Sequence, residues 1–563
     1  MSNRRIVECL LLGLVIFIGF FFRMPLTKYN LPVCSNVDER WGLERFYIFK
    51  YVSLDPGSVD YPTFYYYLTF FLLKPFAFEN ILMNARILNL IISCCLVISV
   101  FLLSKYIFKS VFPSILSSAL TMFSPIIIRN GSYIITDILL ATLCVLSLFF
   151  FIRFFDSNRF IDWLLGTICA GAAVATKYTA IIAVSAYVIT EFIRAHRDKL
   201  HRGKANFWLN ISRAEISPNL FSILFLCFAL IFLSSFIFFP NTLVYKFVES
   251  HGRIDSAFDA QDILFINFIR KTLMLTGILS LVLAFLTYQM KNVFKRFRFI
   301  RPYLAVIFVA IISFLLSPYL MIHWKEYLYG FGAVLKADSV SVGEQQWIGF
   351  FKIFLQNEGF LILFFFLFGV FLCLKQRKQI TLIYGYLILS YLAIGSNKQG
   401  WPRYLTPILP VIFIIAAWSI YYLAIYLKRY KKKSLSWAFI IIVIALILFE
   451  LYPEFSLILS KPKHQDELHF SYKYIKKLHP SKILFAGNNI PHTELKMDGF
   501  DVRQVPKKYV QSDYFYLIEE FMPNDILIVD GSVNDIMNQS LLINLELLYK
   551  NETGVGQYIY KKR

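Results

Sequence analysis

Two adjacent carboxylates, Asp38 and Glu39, lie in the stretch SNVDERWGLERF (35–46), directly behind an apolar run long enough to cross a bilayer. A carboxylate at the edge of a low-dielectric membrane can have its pKa raised toward neutrality. That suits it to take a proton from an attacking hydroxyl. Neighbouring residues point in different directions, so one of the pair is expected to do chemistry and the other to orient or bind; the plain alternative is a solvated carboxylate pair in an external loop. A third acid, Asp137 in RNGSYIITDILLATL, opens a later apolar run on the same side. It reads as a functional membrane-edge carboxylate or, with Thr136, as a helix N-cap, and the two roles can coexist. Cations gather on that side too: Arg86 in NARILNLI, Lys177 in VATKYTAI and Arg403 in GWPRYLTPILP, with Arg129 a further candidate. Singly, each reads as a snorkelling or topological charge. Together, beside the carboxylates, they form a clamp for a phosphate and a means of stabilising charge on a leaving oxygen. His251 and His323 are isolated and match no zinc spacing, and Asp255, Asp259 and Asp262 lack the pattern of a calcium loop. No Walker A loop, nucleophile elbow or H-E-x-x-H occurs.

The elements that position these residues follow from composition. Of 563 residues, 58% are hydrophobic and 18% aromatic, above the apolar share of soluble domains. Apolar runs recur from residue 6 to residue 452. They predict an α-helical polytopic membrane protein with about 13 spans, near 6–23, 84–104, 111–128, 138–155, 161–176, 179–194, 219–239, 264–290, 302–322, 357–374, 380–396, 404–427 and 436–452. The first of these lacks a small-residue cleavage site and reads as a retained helix rather than a signal peptide. The net charge of +21 is carried mostly by basic clusters in alternate short loops, such as Arg194–Arg213, Lys291–Arg301 and Lys428–Lys433. That is a topology signal rather than a nucleic-acid footprint, and it puts the N-terminus in the cytoplasm and the C-terminus outside. Segments 24–83, 240–263 and 323–356 then lie outside. Within the first, YPTFYYYLTFFLLKPF (61–76) is too short to span and suits an interfacial helix. Cys34 alone of the eight cysteines lies outside the apolar runs, so no disulfide framework is expected. After residue 452, SYKYIKKL reads as a helix and KILFAG, DILIVDG and QYIYKKR as strands of a small extracytoplasmic α/β domain (453–563). Its FAGNNIP turn is not a nucleotide-binding glycine loop.

The ordered set Asp38-Glu39, YPTFYYYL, ARxLN (85–89), SP…Y-x-x-TD (124–137), TKYTA (176–180) and PRYLTPILP (402–410) resembles the integral-membrane glycosyltransferases of the C-type (GT-C) fold. Within them it resembles the protein O-mannosyltransferase and aminoarabinose-transferase (ArnT-like) group, over about residues 5–425. The resemblance implies transfer of a sugar from a polyprenyl-phosphate donor, on the extracytoplasmic face and usually with inversion, to an acceptor hydroxyl or phosphate on an envelope glycan, lipid or protein. It maps the family's acidic motif onto Asp38 and Glu39, with Asp38 the likeliest base, and a second acid onto Asp137. The chain departs from the aminoarabinose transferases at two phosphate-binding cations: Trp41 stands three residues after Asp38 in place of Arg, and Tyr61 precedes Pro62 in place of Lys. Arg40 or Lys177 would then compensate, and Tyr61 joins the candidate donor-binding residues. No cofactor is required, although a Mg or Mn ion beside Asp38 and Glu39 stays open. The rival readings are a lipid-linked-sugar transporter or flippase, which would need midplane ionisable residues or internal repeats, a polymerase or ligase of the same fold, and an inactive scaffold.

Overall fold

The computed structural model describes residues 3–34, 37–51, 54–56, 61–77, 80–201, 300–319, 347–374, 380–395, 401–430, 433–460 and 467–478, five strands beyond them, and a few isolated positions. The expected spans 219–239 and 264–290, segment 240–263, most of 323–356, the FAGNNIP turn past Ala486, His251, His323, Asp255, Asp259 and Asp262 fall outside the described residues, isolated positions in 264–290 excepted.

The chain is a multi-pass helical membrane protein. Its helices are α1 (Asn3–Arg23), α2 (Val37–Tyr51), α3 (Phe64–Leu73), α4 (Ile81–Phe108), α5 (Val111–Met122), α6 (Pro125–Gly131), α7 (Asp137–Ser157), α8 (Phe160–Thr176), α9 (Ile181–His201), α10 (Ile300–Leu316), α11 (Gly349–Glu358), α12 (Phe360–Leu374), α13 (Ile380–Gly395), α14 (Leu409–Tyr430), α15 (Lys433–Ser460) and α16 (Glu467–Leu478). Among the described residues, α1, α4, α7, α14 and α15 are long and apolar enough to cross a membrane, and the count reaches 7 if each of two bent pairs is one span.

One bent pair breaks a straight run that hydropathy suggests, and the other falls at the start of the expected span 357–374. The run 111–128 is two helices, α5 and α6, meeting at 57°. Pro125 cannot donate to the preceding turn, and Ser124 starts α6 by accepting a hydrogen bond from the Ile127 amide. Helices α11 and α12 meet at 119° around Gly359, whose φ of 84° lies in the left-handed region. There the Glu450 carboxylate accepts from the amides of Phe360 and Leu361 and caps α12. A second difference concerns 35–46, read as a loop. Its residues from Val37 onward begin α2, so Asp38 and Glu39 sit in a first helical turn, where the helix dipole favours carboxylates. The ten residues of α3 reach about 15 Å, half a bilayer core.

The contacts divide the chain into two units: Met1–Arg23, Ile48–Leu72 and Leu88–Ser456 form the first, and Met24–Tyr47, Leu73–Ile87 and Leu457–Arg563 the second. In the first unit α8 packs on α7 and α10, α9 on α10 and α13, and α14 on α5 and α12. In the second, a five-stranded sheet has the order β2-β1-β3-β5-β4, built from β1 (Ile483–Ala486), β2 (Val502–Gln504), β3 (Ile526–Asp530), β4 (Leu545–Asn551) and β5 (Gln557–Lys562). Strands β2, β1 and β3 are parallel, and β5 runs antiparallel to β3 and β4.

Candidate functional site

The sequence candidates come together in two groups, one within each unit. In the second unit, helical periodicity separates the two adjacent acids. Glu39 shares a stripe with the buried Leu43 and Phe46 at i+4 and i+7, whereas Asp38 is half-buried and shares its face with the exposed Trp41. Arg86, in the second turn of α4, meets Glu39 in a bidentate pair: Nε donates to Oε1 at 2.7 Å and Nη2 to Oε2 at 2.6 Å. Its Nη1 donates to the carbonyls of Thr27 and Tyr29. Both side chains are 0% exposed. All three guanidinium nitrogens are thus engaged, and the arginine fastens the 24–29 stretch and the start of α2 to α4. Removing one partner of such a pair costs about 3–5 kcal/mol, because the other charge stays buried. Arg86, expected at the donor phosphate, is thus engaged by Glu39 and by two backbone carbonyls. The same pair bears on a divalent cation beside Asp38 and Glu39: both Glu39 oxygens already accept from Arg86, which leaves them poor metal ligands. Among the described residues no three His, Cys, Asp or Glu side chains group as a metal set. Arg40 lies buried on α2.

In the first unit, Asp137 and Lys177 form the second group. Thr136 makes no side-chain capping bond. Instead, Asp137 Oδ1 accepts from Lys177 Nζ at 2.7 Å, with the side chains 2% and 8% exposed. Lys177 ends α8 in extended backbone, ahead of the short 3-10 turn Tyr178–Ala180, so its side chain leaves the helix and reaches the start of α7. Two aromatic rings flank its ammonium, Tyr61 at 5.5 Å and Tyr404 at 5.7 Å. Burial alone would pull the Lys177 pKa down, but Asp137 and the neighbouring tyrosines more than offset it and the net shift is upward. Tyr61 is raised, by burial first, against the opposing pull of Lys177. Arg403 lies over the rings of Trp401 and Tyr404, at 5.6 and 5.7 Å, an arrangement in which a guanidinium keeps its donors while the aromatic face stabilises its charge. Arg129 pairs with Glu454 at 3.1 Å.

Side chains given no role in the sequence reading hold this second group in place. Ser317 Oγ accepts from the Thr63 and Phe64 amides and donates to the Ala175 carbonyl, tying the segment after Tyr61 to the last turn of α8, just before Lys177. Asn89, the last residue of the ARxLN motif, donates to the carbonyls of Asn130 and Tyr133 and so fixes the turn that precedes Asp137. Asn130 donates to Thr406 Oγ1 at 2.6 Å, linking that turn to the segment carrying Arg403. Arg23 is fully buried and donates to the Ile127 carbonyl on α6. The signal available beforehand was polar residues inside otherwise apolar runs.

The opposite end of α7 carries different chemistry. Arg153 pairs with Asp162 at 3.2 Å, and Glu191 faces Arg194 and Arg301. All three arginines belong to loops assigned to the cytoplasmic face by charge. Sixteen residues along α7 separate Arg153 from Asp137 by about 24 Å.

Comparison with known proteins agrees with this architecture. Residues 60–221 match the family model for dolichyl-phosphate-mannose-protein mannosyltransferase. Comparison with curated protein sequences finds no match. Among solved structures, ArnT from Cupriavidus metallidurans bound to undecaprenyl phosphate aligns with a TM-score of 0.54 at 10% identity, over 100% of this chain and 98% of its own. AglB, the archaeal oligosaccharyltransferase of Archaeoglobus fulgidus in complex with an inhibitory peptide and a dolichol-phosphate, aligns with a TM-score of 0.51 at 13% identity, over 97% of this chain and 74% of its own. The apo form of the Archaeoglobus fulgidus oligosaccharyltransferase gives 0.51 at 13% identity, over 92% and 70%. At these identities the likeness is one of fold: the chain resembles the integral-membrane glycosyltransferases of the GT-C fold, as the ordered motifs implied.

Proposed function

We propose that the chain is a membrane glycosyltransferase that moves a sugar from a polyprenyl-phosphate donor to an acceptor hydroxyl or phosphate on an extracytoplasmic glycan, lipid or protein, with inversion. Asp38 is the general base: it takes the proton of an acceptor hydroxyl as that oxygen attacks the anomeric carbon and the bond from that carbon to the phosphate oxygen breaks. The departing lipid phosphate is stabilised by Lys177 and Arg403, with Tyr61 beside them. In this reading some 13 spans carry the catalytic domain, the N-terminus is cytoplasmic, and the C-terminal α/β domain lies outside and helps select the acceptor. The observation that carries it is the division of labour at Asp38-Glu39. Glu39 is neutralised by Arg86 through both oxygens, while Asp38 stands half-buried beside it in the first turn of α2. Such a buried, bidentate anchor holds the neighbouring carboxylate at a fixed height and angle. The lipids named in the ArnT and AglB structures, undecaprenyl phosphate and dolichol-phosphate, support the donor class. The test is release of polyprenyl phosphate from a panel of radiolabelled polyprenyl-phosphate sugars by purified protein, for the wild type and Asp38→Asn. Release that disappears in the variant is expected; normal release in the variant removes Asp38 from the role.

A further inference from the structure

The ion pair between Asp137 and Lys177 occupies the group assigned above to the donor phosphate. Lys177 carries three N–H donors, and among the described residues one is spent, on Asp137 Oδ1 at 2.7 Å. Two aromatic rings flank it, those of Tyr61 and Tyr404 at 5.5 and 5.7 Å from Nζ, and their faces offer no strong acceptor. Both charges are buried, Asp137 at 1% and Lys177 at 7% exposure. A buried ammonium whose charge is balanced by one carboxylate can exchange that partner for another anion where the displaced carboxylate finds a new donor, since a buried charge left uncompensated is strongly destabilising.

Resting on the donor assignment above, we propose that Lys177 is a phosphate-ester subsite for which Asp137 is a built-in competitor. With no donor bound, the carboxylate holds the ammonium. An arriving phosphate ester takes over the Lys177 N–H donors, and Asp137 is released as a charged acceptor for a hydroxyl of the bound substrate. The pair thereby couples donor binding to the appearance of a second active carboxylate. The upward displacement of the Lys177 pKa is consistent with an ammonium that stays charged throughout the exchange. Asn89, through the carbonyls of Asn130 and Tyr133, anchors the turn that precedes Asp137.

The experiment measures binding of undecaprenyl phosphate, with inorganic phosphate as a separate arm, to the full-length protein in detergent for wild type, Asp137→Asn, Lys177→Gln and the double variant, with a thermal melt of each. The exchange predicts that Asp137→Asn binds undecaprenyl phosphate tighter by about fivefold or more, the lower range of a typical coupling between sites. Lys177→Gln binds it more weakly by at least that factor, and the effect of Asp137→Asn vanishes in the Lys177→Gln background. Competition by inorganic phosphate at millimolar levels identifies the head group as the recognised part; its failure to compete assigns recognition to the ester together with its lipid and leaves the exchange intact. If Asp137→Asn melts lower with unchanged or weaker binding while Lys177→Gln still weakens binding, the pair is a structural staple, and the exchange is overturned while the donor reading stands. If the tightening persists in the double variant, it is general electrostatics and the exchange is equally overturned. If the wild type binds no undecaprenyl phosphate, the donor reading falls and takes the exchange with it. Should Asp137→Asn not fold, Asp137→Ser, which keeps a capping hydroxyl at the helix start, replaces it in the same comparison.

Discussion

At the scale of single residues, the two adjacent acids differ because a helix turns by 100° per residue. That rotation puts Glu39 into the core, against Arg86, and leaves Asp38 on the half-exposed face with Trp41. The two should therefore fail differently. Asp38→Asn keeps shape but removes the proton acceptor, so turnover should fall by about 10²–10⁴-fold while the melting temperature drops by no more than a few degrees, the helix-dipole share of the lost charge. Arg86→Ala leaves a buried carboxylate without its bidentate partner and frees two backbone carbonyls; a loss of about 3–5 kcal/mol is expected, read as a much lower melting temperature. Arg86→Lys should rescue little of it, since an ammonium cannot reproduce the fork. Lys177 makes a third case with a defined pH sign. Its folded-state pKa is raised, so the stabilisation it brings is present below its unfolded value and is lost only as pH climbs through the raised one. The melting difference between wild type and Lys177→Gln should accordingly be flat from about pH 6 to 9; a difference that collapses within that window would mean the ammonium titrates there.

At the scale of elements, the positions of most apolar helices were legible and the break inside 111–128 was not. Hydropathy averages over a window, so the Ser124-Pro125 break disappears inside the run 111–128, whereas Gly359, with φ of 84°, falls at the start of the expected span 357–374. Partners far apart in sequence were equally hidden. Arg86 and Glu39 are 47 residues apart, Lys177 and Asp137 are 40, and Ser317 reaches back 254 to the Thr63 amide. Each of these residues stood out as a polar side chain in an apolar setting or went unremarked, but its partner is decided only by helix packing. The break at Gly359 offers a direct check. A Cβ at this position would lie 2.6 Å from Glu450 Oε2, on a backbone that L side chains rarely adopt. Gly359→Ala should cost about 1–3 kcal/mol in backbone strain, plus whatever is lost when Glu450 is pushed off the Phe360 and Leu361 amides. The expected readout is a lower melting temperature, whereas Gly385→Ala, whose nearest neighbour would sit at 3.8 Å, should be nearly silent.

At the scale of the whole molecule, charge counting and packing group the same residues at the same helix ends. Charge counting along the sequence assigns Arg153, Arg194 and Arg301 to the cytoplasmic face, and the structure gathers those arginines around Asp162 and Glu191 at the C-terminal end of α7. The acids and cations assigned to the outer face, Asp137, Lys177 and Arg403 with Tyr61 and Tyr404, gather around the other end of the same helix. A sequence rule that knows nothing of folding thus sorts residues as packing does, because both obey one constraint: a charge crosses the hydrocarbon only at high cost and remains on the side where it is solvated or paired. The orientation itself is open to a direct test. In a cysteine-free background, a single cysteine at exposed Phe76, in the segment before α4, should react in intact cells with a membrane-impermeant maleimide. One at Ser110, between α4 and α5, should react only after the membrane is opened. The reverse pattern would place Asp137 and Lys177 on the cytoplasmic face, where nucleotide sugars are available as donors and a lipid phosphate is no longer required. The labelling result therefore decides the donor class as well as the topology, since side and donor are linked by what each compartment can supply.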